Sequence, residues 1–233
     1  GYEIIDQSNF SVPTQNKQMN ENLNVPGVKS ITLPLGEVKI SRKVKALTII
    51  FRSCTNVSML TQNKKRLYDN NKSEYTFRSL NSIINSLKFS EKFLPDVKFD
   101  IIVIDYKSKK ADLDQIRKQL ANTHFKNSII NLNVNEFVND IKKVNAENKN
   151  VSENQISNMS NINKSFLIAK NQCTDLIYFV EDDYIHEKEA IQEMILTYER
   201  ISSLTKKQLV LCPTDYPYLY TKLGPTNIFI GSK

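Results

Sequence analysis

Three consecutive carboxylates follow a short apolar run and offer the most specific chemistry in this sequence. The run Leu176–Val180 is β-branched and aromatic, which predicts a buried strand, and Glu181, Asp182 and Asp183 come directly after it. Burial of three adjacent acids is costly, so we expect them at the exposed carboxyl end of the strand. Ligands of open α/β sheets bind at that edge. Carboxylates placed there are predicted to hold Mg²⁺ or Mn²⁺ and, through it, a diphosphate.

A second acid follows another apolar run, because Asp105 ends Ile101–Ile104. In a doubly wound sheet the two strand ends can border one crevice, so Asp105 is predicted to accept hydrogen bonds from a base or ribose. Simpler interpretations stay open at this point. Asp105 suits an ordinary strand-end turn. Asp182 or Asp183 suits the N-cap of the next helix, and His186 suits either a metal ligand or a surface residue.

The elements that would position these acids alternate along the chain. Strands are predicted at 46–51, 99–104, 128–132, 176–180, 208–212 and 227–230, and helices at 74–88, 111–121, 154–170 and 187–204. Glu187 and Glu189 would lie in the first turn of the last helix. The pattern predicts an α/β fold with a mostly parallel central sheet and helices on both faces. Residues 1–40 are expected to be a partly ordered lead-in, with an edge strand at 31–35, and 41–233 to form the domain.

Composition narrows the classes of function. The 233 residues carry a net charge of +7, but the basic residues are scattered and no aromatic-interleaved RNA motif accompanies them, so we expect no nucleic-acid partner. None of the five glycines lies between Gly36 and Gly224, which removes the Gly-rich phosphate loops from the central region. Three widely spaced cysteines favour reduced thiols in a cytoplasmic protein, and no apolar run is long enough to span a membrane.

In this order of elements and acids the chain resembles the GT-A-fold glycosyltransferases of the family 2 type, over about residues 46–231. That family has an aspartate after its second strand, matched by Asp105 in Ile102–Ser108. It has a helix pattern ArgAsn-x-Gly-x-x-x-Ala before the metal strand, where this chain has Asn163–Ala169. The family's Asp-x-Asp metal motif after an apolar strand is matched by Glu181–Asp183.

The resemblance implies a metal-dependent glycosyltransferase that moves a sugar from a nucleoside diphosphate to a glycan, lipid or protein acceptor. It implies that Asp105, Asn163, Lys164 and Asp182 contact the nucleotide-sugar, and that Glu181, Asp182 and Asp183 hold Mn²⁺ or Mg²⁺. The catalytic base is unassigned, with Asp215 as the candidate after the 208–212 strand. The chain starts at Gly1, and we expect a fragment whose acceptor-binding part lies downstream.

Two other functions stay open. A non-catalytic module that keeps the fold and binds glycan or protein would need no downstream base. A nucleotidyltransferase of similar fold is less favoured, because it normally needs a Gly-rich loop after the first strand. For location, the sequence predicts the cytoplasm or a peripheral position at a membrane surface.

Overall fold

The computed structural model describes residues 22–25, 28–31, 38–56, 71–141, 150–213 and 229–230. The chain divides into two compact units. One unit is Val44–Gln192, and the other combines Gly1–Lys43 with Glu193–Lys233.

The described elements alternate between strands and helices through the first of these units. The strands are β1 (Asn22–Val25), β2 (Val28–Ile31), β3 (Ala46–Ser53), β4 (Lys98–Asp105), β5 (Lys126–Asn131), β6 (Leu176–Glu181), β7 (Leu209–Val210) and β8 (Phe229–Ile230). The helices are α1 (Lys72–Glu91), α2 (Lys110–Ala121), α3 (Glu153–Gln172) and α4 (Ala190–Thr205), with a short 3-10 helix at Val134–Glu136.

Four strands of the Val44–Gln192 unit form one sheet in the order β5-β4-β3-β6. All three strand pairs are parallel, so the four carboxyl ends lie at one edge. The predicted α/β architecture with a parallel sheet is confirmed. The order places β3 and β4 at the centre, and their side chains Ile49, Phe51, Ile101 and Val103 are fully buried.

Helices cover both faces of this sheet because its strands are apolar on both faces. On one face, Ile50, Ile102 and Ile104 pack with Ile168 of α3. On the other face lies α1, whose side chains reach the end of β6 and the segment that follows it. Helix α2 contacts α1 through Gln119, whose amide donates to the carbonyl of Phe77.

Helix α3 begins at the carboxyl edge of the sheet because a capping box fixes its start. The Ser152 hydroxyl accepts from the Gln155 amide at 3.3 Å, and the Gln155 side chain accepts from the Ser152 amide at 2.9 Å. The first turn then lies beside the end of β4, where Glu153 accepts from the Tyr106 hydroxyl. From there the helix runs back along the sheet, so residues further along α3 lie further below the carboxyl edge.

The described part of the other unit contains two antiparallel strand pairs. Strands β1 and β2 form a hairpin, and β7 pairs with β8. The Ser203 hydroxyl accepts from the amides of Ser41 and Arg42 at 3.0 Å each, which joins the segment before β3 to the end of α4. Part of the predicted lead-in is thus a hairpin, whose β2 ends at Ile31, where the edge strand was predicted to begin.

Several predicted boundaries differ from those observed, and two of the differences affect the surroundings of the acids. Helix α4 begins at Ala190, so Glu187 and Glu189 precede the helix and its first-turn acid is Glu193. The amide of His186 donates to Ser82 of α1, and a turn follows in which the amide of Ala190 donates to the carbonyl of Glu187 at 3.1 Å. Helix α1 begins at Lys72, two residues before the predicted start at residue 74. The second difference matters because it brings Lys72 to the acids.

Candidate functional site

The ends of the parallel strands meet at one edge, which we call the carboxyl rim: residues 52–55, 105–108 and 181–183. Strand register aligns Ser53 with Asp105 and Arg52 with Glu181. Successive residues of a strand point to opposite faces, so these two pairs lie on different faces of the sheet. The rim therefore has an α1 face, with Ser53 and Asp105, and an α3 face, with Arg52 and Glu181.

Asp105 holds the loop that closes the end of β4. Its carboxylate accepts from the Ser53 hydroxyl at 2.7 Å, the Ser108 hydroxyl at 2.5 Å and the Ser108 amide at 3.1 Å. The residue is 2 % exposed. The turn interpretation of Asp105 therefore accounts for its described contacts. Recognition of a nucleoside by Asp105 stays a prediction, and it would require a serine hydroxyl to give way.

The loop after β4 is also tied to the loop after β3. The Thr55 amide donates to the Ser108 hydroxyl at 2.9 Å, and the Lys109 amide donates to the Thr55 hydroxyl at 3.2 Å. In the loop after β4, just before these two residues, Lys107 adopts a φ of 53°, a left-handed conformation that is uncommon outside glycine. Such backbone strain persists only where the surroundings enforce it, and it concentrates at functional sites.

Asp182 lies on the α1 face and is almost fully engaged. Its carboxylate accepts from Lys72 Nζ at 2.5 Å, the Thr76 hydroxyl at 2.9 Å and the Cys54 amide at 3.2 Å. The side chains of Lys72 and Asp182 are 13 % and 9 % exposed, so this is a buried ion pair. Asp182 fastens the end of β6 to the start of α1. Since α4 begins at Ala190, neither Asp182 nor Asp183 is its N-cap.

Glu181 lies on the α3 face and forms an ion pair with Arg52. The other end of that guanidinium donates to the Asn158 side chain of α3 at 3.0 Å. Arg52 is thus held between β6 and α3, while the Glu181 side chain remains 49 % exposed. The alternation along β6 separates Glu181 from Asp182, so the three adjacent acids do not converge on one point.

Asp183 is the acid that the rim engages least. It follows β6 in the turn, its side chain is 33 % exposed, and its carboxylate lies 4.0 Å from Lys72 Nζ. That distance is the limit of an ion pair rather than a hydrogen bond. Of the three predicted metal ligands, Asp183 therefore has the oxygen atoms best placed to take a new partner.

A cation at this rim would have only one or two carboxylates of the protein as ligands. The described residues contain no group of three or more His, Cys, Asp or Glu side chains that could hold a metal ion. Mg²⁺ commonly binds through one or two carboxylates and completes its shell with water and substrate phosphates. Asp183, with Asp182 beside the same ammonium, matches that lower requirement. Glu181 would have to leave Arg52 and cross to the other face.

The charges of the rim also suit a divalent cation. The rim and its described partners carry five carboxylates, on Asp105, Glu153, Glu181, Asp182 and Asp183, against three basic side chains, on Arg52, Lys72 and Lys107. Among the described contacts of the rim this leaves an excess of two negative charges. A diphosphate would be repelled by that excess unless a divalent cation offset it.

The structure places the other predicted donor-binding residues away from the acid triplet. Lys164 forms an ion pair with Glu136 at 2.8 Å, beside β5 at the opposite flank of the sheet from β6. Asn163 lies five residues beyond Asn158 in α3, about 7 Å deeper below the rim. A role for either in the donor pocket stays a prediction. Asp215, the catalytic candidate, lies outside the described residues.

Sequence reasoning missed another asparagine of α3. Asn161 is 6 % exposed, and its amide donates to the carbonyl of Ile104 at 3.3 Å, one residue before Asp105. Its side-chain oxygen is buried without a hydrogen-bond partner. Hydrophobic periodicity gave no signal for it, because the buried face of α3 around Asn161 is mostly polar, with Ser157, Ser160 and Ser165. Asn161 supports the end of β4 from below.

Cys54 lies in the rim between the two buried aspartates. Burial raises the pKa of its thiol from 9.0 to about 11, and the negative charge of Asp105 adds to the effect. Because the thiolate is the reactive form, this cysteine is a poor nucleophile near neutral pH. Cys54 and Cys173 are free thiols. The Cys54 thiol is therefore a weaker candidate for chemistry at the rim than the carboxylates.

We predict that Cys54 resists alkylation. A pKa raised by two units leaves about a hundredfold less thiolate at pH 8 than a thiol with the ordinary value, so iodoacetamide should modify Cys54 about a hundredfold more slowly than a model thiol. The exposed Cys212 is the internal comparison. Peptide mass spectrometry over a time course measures both. Labelling of Cys54 at the rate of Cys212 would contradict the described burial of the rim.

His186 anchors the segment after the acids to α1. Its Nε2 lies 2.8 Å from the Tyr178 hydroxyl, its amide donates to the Ser82 hydroxyl at 3.0 Å, and its Nδ1 lies 3.5 Å from the same hydroxyl. A neutral ring with its proton on Nδ1 satisfies these contacts. Burial lowers the pKa of His186 below its ordinary 6.5. His186 thus has a structural role in these contacts, rather than that of a metal ligand beside the acids or of an exposed surface side chain.

This burial predicts that acid destabilises the fold through His186. The folded-state pKa lies below the unfolded value, so the unfolded chain takes up the proton first as the pH falls. The contribution is present above about pH 6.5 and is lost as the pH falls towards the folded-state pKa. Urea unfolding from pH 7.5 to 5.5 should show a smaller loss of stability in His186→Gln than in the wild type. Equal losses would contradict the burial, and His124→Gln is the matched control at an exposed histidine.

The comparisons with known proteins do not assign a family. No protein-family model matches this chain, and no curated protein matches its sequence significantly. Among the described residues, no helix is both long enough and apolar enough to cross a membrane. The resemblance to GT-A glycosyltransferases therefore rests on the order of strands and acids alone.

Proposed function

We propose that this protein is a glycosyltransferase that binds a nucleoside-diphosphate sugar at the carboxyl rim with the help of Mn²⁺ or Mg²⁺. The observation that supports the proposal most is the position of Asp183. This partly exposed carboxylate lies at the edge where parallel sheets bind ligands, beside a rim with an excess of negative charge. The resemblance to the GT-A family supplies the reaction class, the transfer of a sugar to an unidentified acceptor.

In this proposal the residues of the rim have different roles. Asp183 holds the cation, with Asp182 as the nearest second carboxylate. The cation would act as a Lewis acid that neutralises the departing nucleoside diphosphate. Arg52 keeps Glu181 on the α3 face, and the Asp105–Ser108 loop forms the wall against which the nucleoside would lie. The reduced cysteines favour a cytoplasmic location, or one at a membrane surface.

A second function is favoured because most of the carboxylates of the rim are already paired within the protein. Asp105 and Asp182 are buried and accept three hydrogen bonds each within the protein, and Glu181 is paired with Arg52. A non-catalytic module that keeps the fold and binds glycan or protein would show this pattern. Hydrolysis of nucleotide-sugars by the full-length protein separates the two functions, because a pure binding module should produce no free nucleoside diphosphate.

Calorimetry tests the proposed donor site. Uridine, guanosine, adenosine and cytidine diphosphates are titrated into the protein with Mn²⁺ and again with a chelator. We expect one of them to bind at least about tenfold more tightly with Mn²⁺, because the cation offsets the excess charge of the rim. Failure of all four to bind under either condition would overturn the proposal.

A further inference from the structure

Lys72 occupies the place between the two acids that the proposed function assigns to a cation. Its Nζ is 2.5 Å from Asp182 and 4.0 Å from Asp183, and its side chain is 13 % exposed. Lys72 is also the first residue of α1, a helix of 20 residues, so the amino end of that helix lies at the rim. A helix amino terminus favours an anion. Lys72 therefore borders both the carboxylates and a place suited to a phosphate.

We propose that Lys72 is a positioning residue that exchanges partners when the donor binds. Before binding, its ammonium neutralises Asp182 and Asp183. When a divalent cation takes those carboxylates, the ammonium moves to a phosphate oxygen of the diphosphate. This inference rests on the proposed function and adds an exchange to it: the same lysine competes with the metal and then assists the anion.

The physical reason is that two cations cannot share these carboxylates without strong repulsion. At a few ångströms in a partly buried site, an ammonium beside a divalent ion opposes its binding. The lysine has a flexible four-carbon stem, so its charge can move without a change in the helix that carries it. The diphosphate brings the negative charge that the moved ammonium needs. Thr76 and the Cys54 amide still donate to Asp182 after the exchange.

The exchange predicts opposite effects of one substitution on two affinities. In Lys72→Met, binding of Mn²⁺ alone should become about tenfold tighter, because its competitor is gone. Binding of inorganic pyrophosphate at saturating Mg²⁺ should become about tenfold weaker, because the ammonium that would meet it is gone. Electron paramagnetic resonance of free Mn²⁺ measures the first affinity, and calorimetry measures the second. Pyrophosphate is used because it does not depend on the identity of the base.

Controls separate this exchange from a loss of structure. Lys88→Met changes an exposed lysine of the same helix and should alter neither affinity. If Lys72→Met does not fold, Lys72→Gln replaces it, because the amide can still donate to Asp182. A purely structural lysine would lower both affinities or neither.

Each outcome decides between the two proposals. Tighter Mn²⁺ with weaker pyrophosphate supports the exchange. Unchanged or weaker Mn²⁺ binding in the variant overturns it, and so does unchanged pyrophosphate binding. If the wild type itself binds neither pyrophosphate nor any nucleoside diphosphate, the proposed function fails and the exchange fails with it. Measurements on the wild type alone identify this outcome.

Discussion

Replacement of Asp183 with Asn is expected to weaken the binding of a nucleoside diphosphate in the presence of Mn²⁺ by about a hundredfold. The substitution keeps the size of the side chain and removes the charge that a hard cation prefers. Its cost to the fold should be small, within about 1 kcal/mol, because the contact with Lys72 is long and partly exposed. Calorimetry measures the affinity, and urea unfolding measures the stability.

Asp96→Asn is the matched control for this experiment. It makes the same change at an exposed turn before β4, at the opposite edge of the sheet. Wild-type affinity in Asp96→Asn together with a large loss in Asp183→Asn would locate the cation at the carboxyl rim. Equal affinity in both variants would mean that Asp183 holds no cation.

Replacement of Asp182 with Ala is expected to have the opposite profile, with a large loss of stability of about 3–5 kcal/mol. The change leaves the largely buried Lys72 ammonium with only the more distant carboxylate of Asp183, and it removes the acceptor of the Cys54 amide and one of the two acceptors of the Thr76 hydroxyl. Circular dichroism is the suitable probe of unfolding because the chain contains no tryptophan. A loss below about 1 kcal/mol would show that the ion pair is not buried in solution.

A double variant isolates the buried charge as the cause. Removal of both partners, in Lys72→Met with Asp182→Ala, should recover part of the loss, because no unpaired charge remains in the interior. If the double variant is as unstable as the sum of the two single variants, the contribution of Asp182 lies in its other hydrogen bonds.

The sequence was sufficient for the architecture because hydrophobic periodicity carried most of it. The runs at 46–51 and 99–104 are apolar except for Thr48 and Asp100, as expected for strands buried on both faces. The run at 176–180 is also apolar, but it forms an edge strand that is largely half-buried rather than buried as predicted. The four-stranded parallel sheet follows from their alternation with helical stripes. The start of α4 was predicted three residues early, because the periodicity does not show that His186 is bonded to α1 and that a turn from Glu187 to Ala190 precedes the helix.

The acids were predicted at the correct edge, but their separation was not predicted. The two-residue period of a strand already implies that Glu181 and Asp182 face opposite ways, and this signal was present in the sequence. Their partners were not accessible in the same way. Lys72 is 110 residues from Asp182 along the chain, and only the packing of α1 on β6 brings the two together. Lys72 lies just before a predicted helix, and that position in the sequence gives no sign of a contact with Asp182.

Asp105 shows why a strand-end acid alone does not define a site. Its position after β4 is the one predicted, yet its carboxylate holds Ser53 and Ser108 in place. The bonds depend on the register between β3 and β4 and on the turn through Lys107, neither of which the sequence specifies. Asp183 differs because its burial is incomplete, which is a property of the folded chain.

The most direct test of a cation–diphosphate site at the rim is paramagnetic line broadening by Mn²⁺. Amide spectra of the ¹⁵N-labelled protein are recorded with a nucleoside diphosphate and substoichiometric Mn²⁺, with Mg²⁺ as the diamagnetic reference. We predict broadening centred on residues 53–55, 106–108 and 182–184 that depends on the diphosphate. Sharp resonances at the rim, or broadening scattered over exposed acids whether or not the diphosphate is present, would contradict the account.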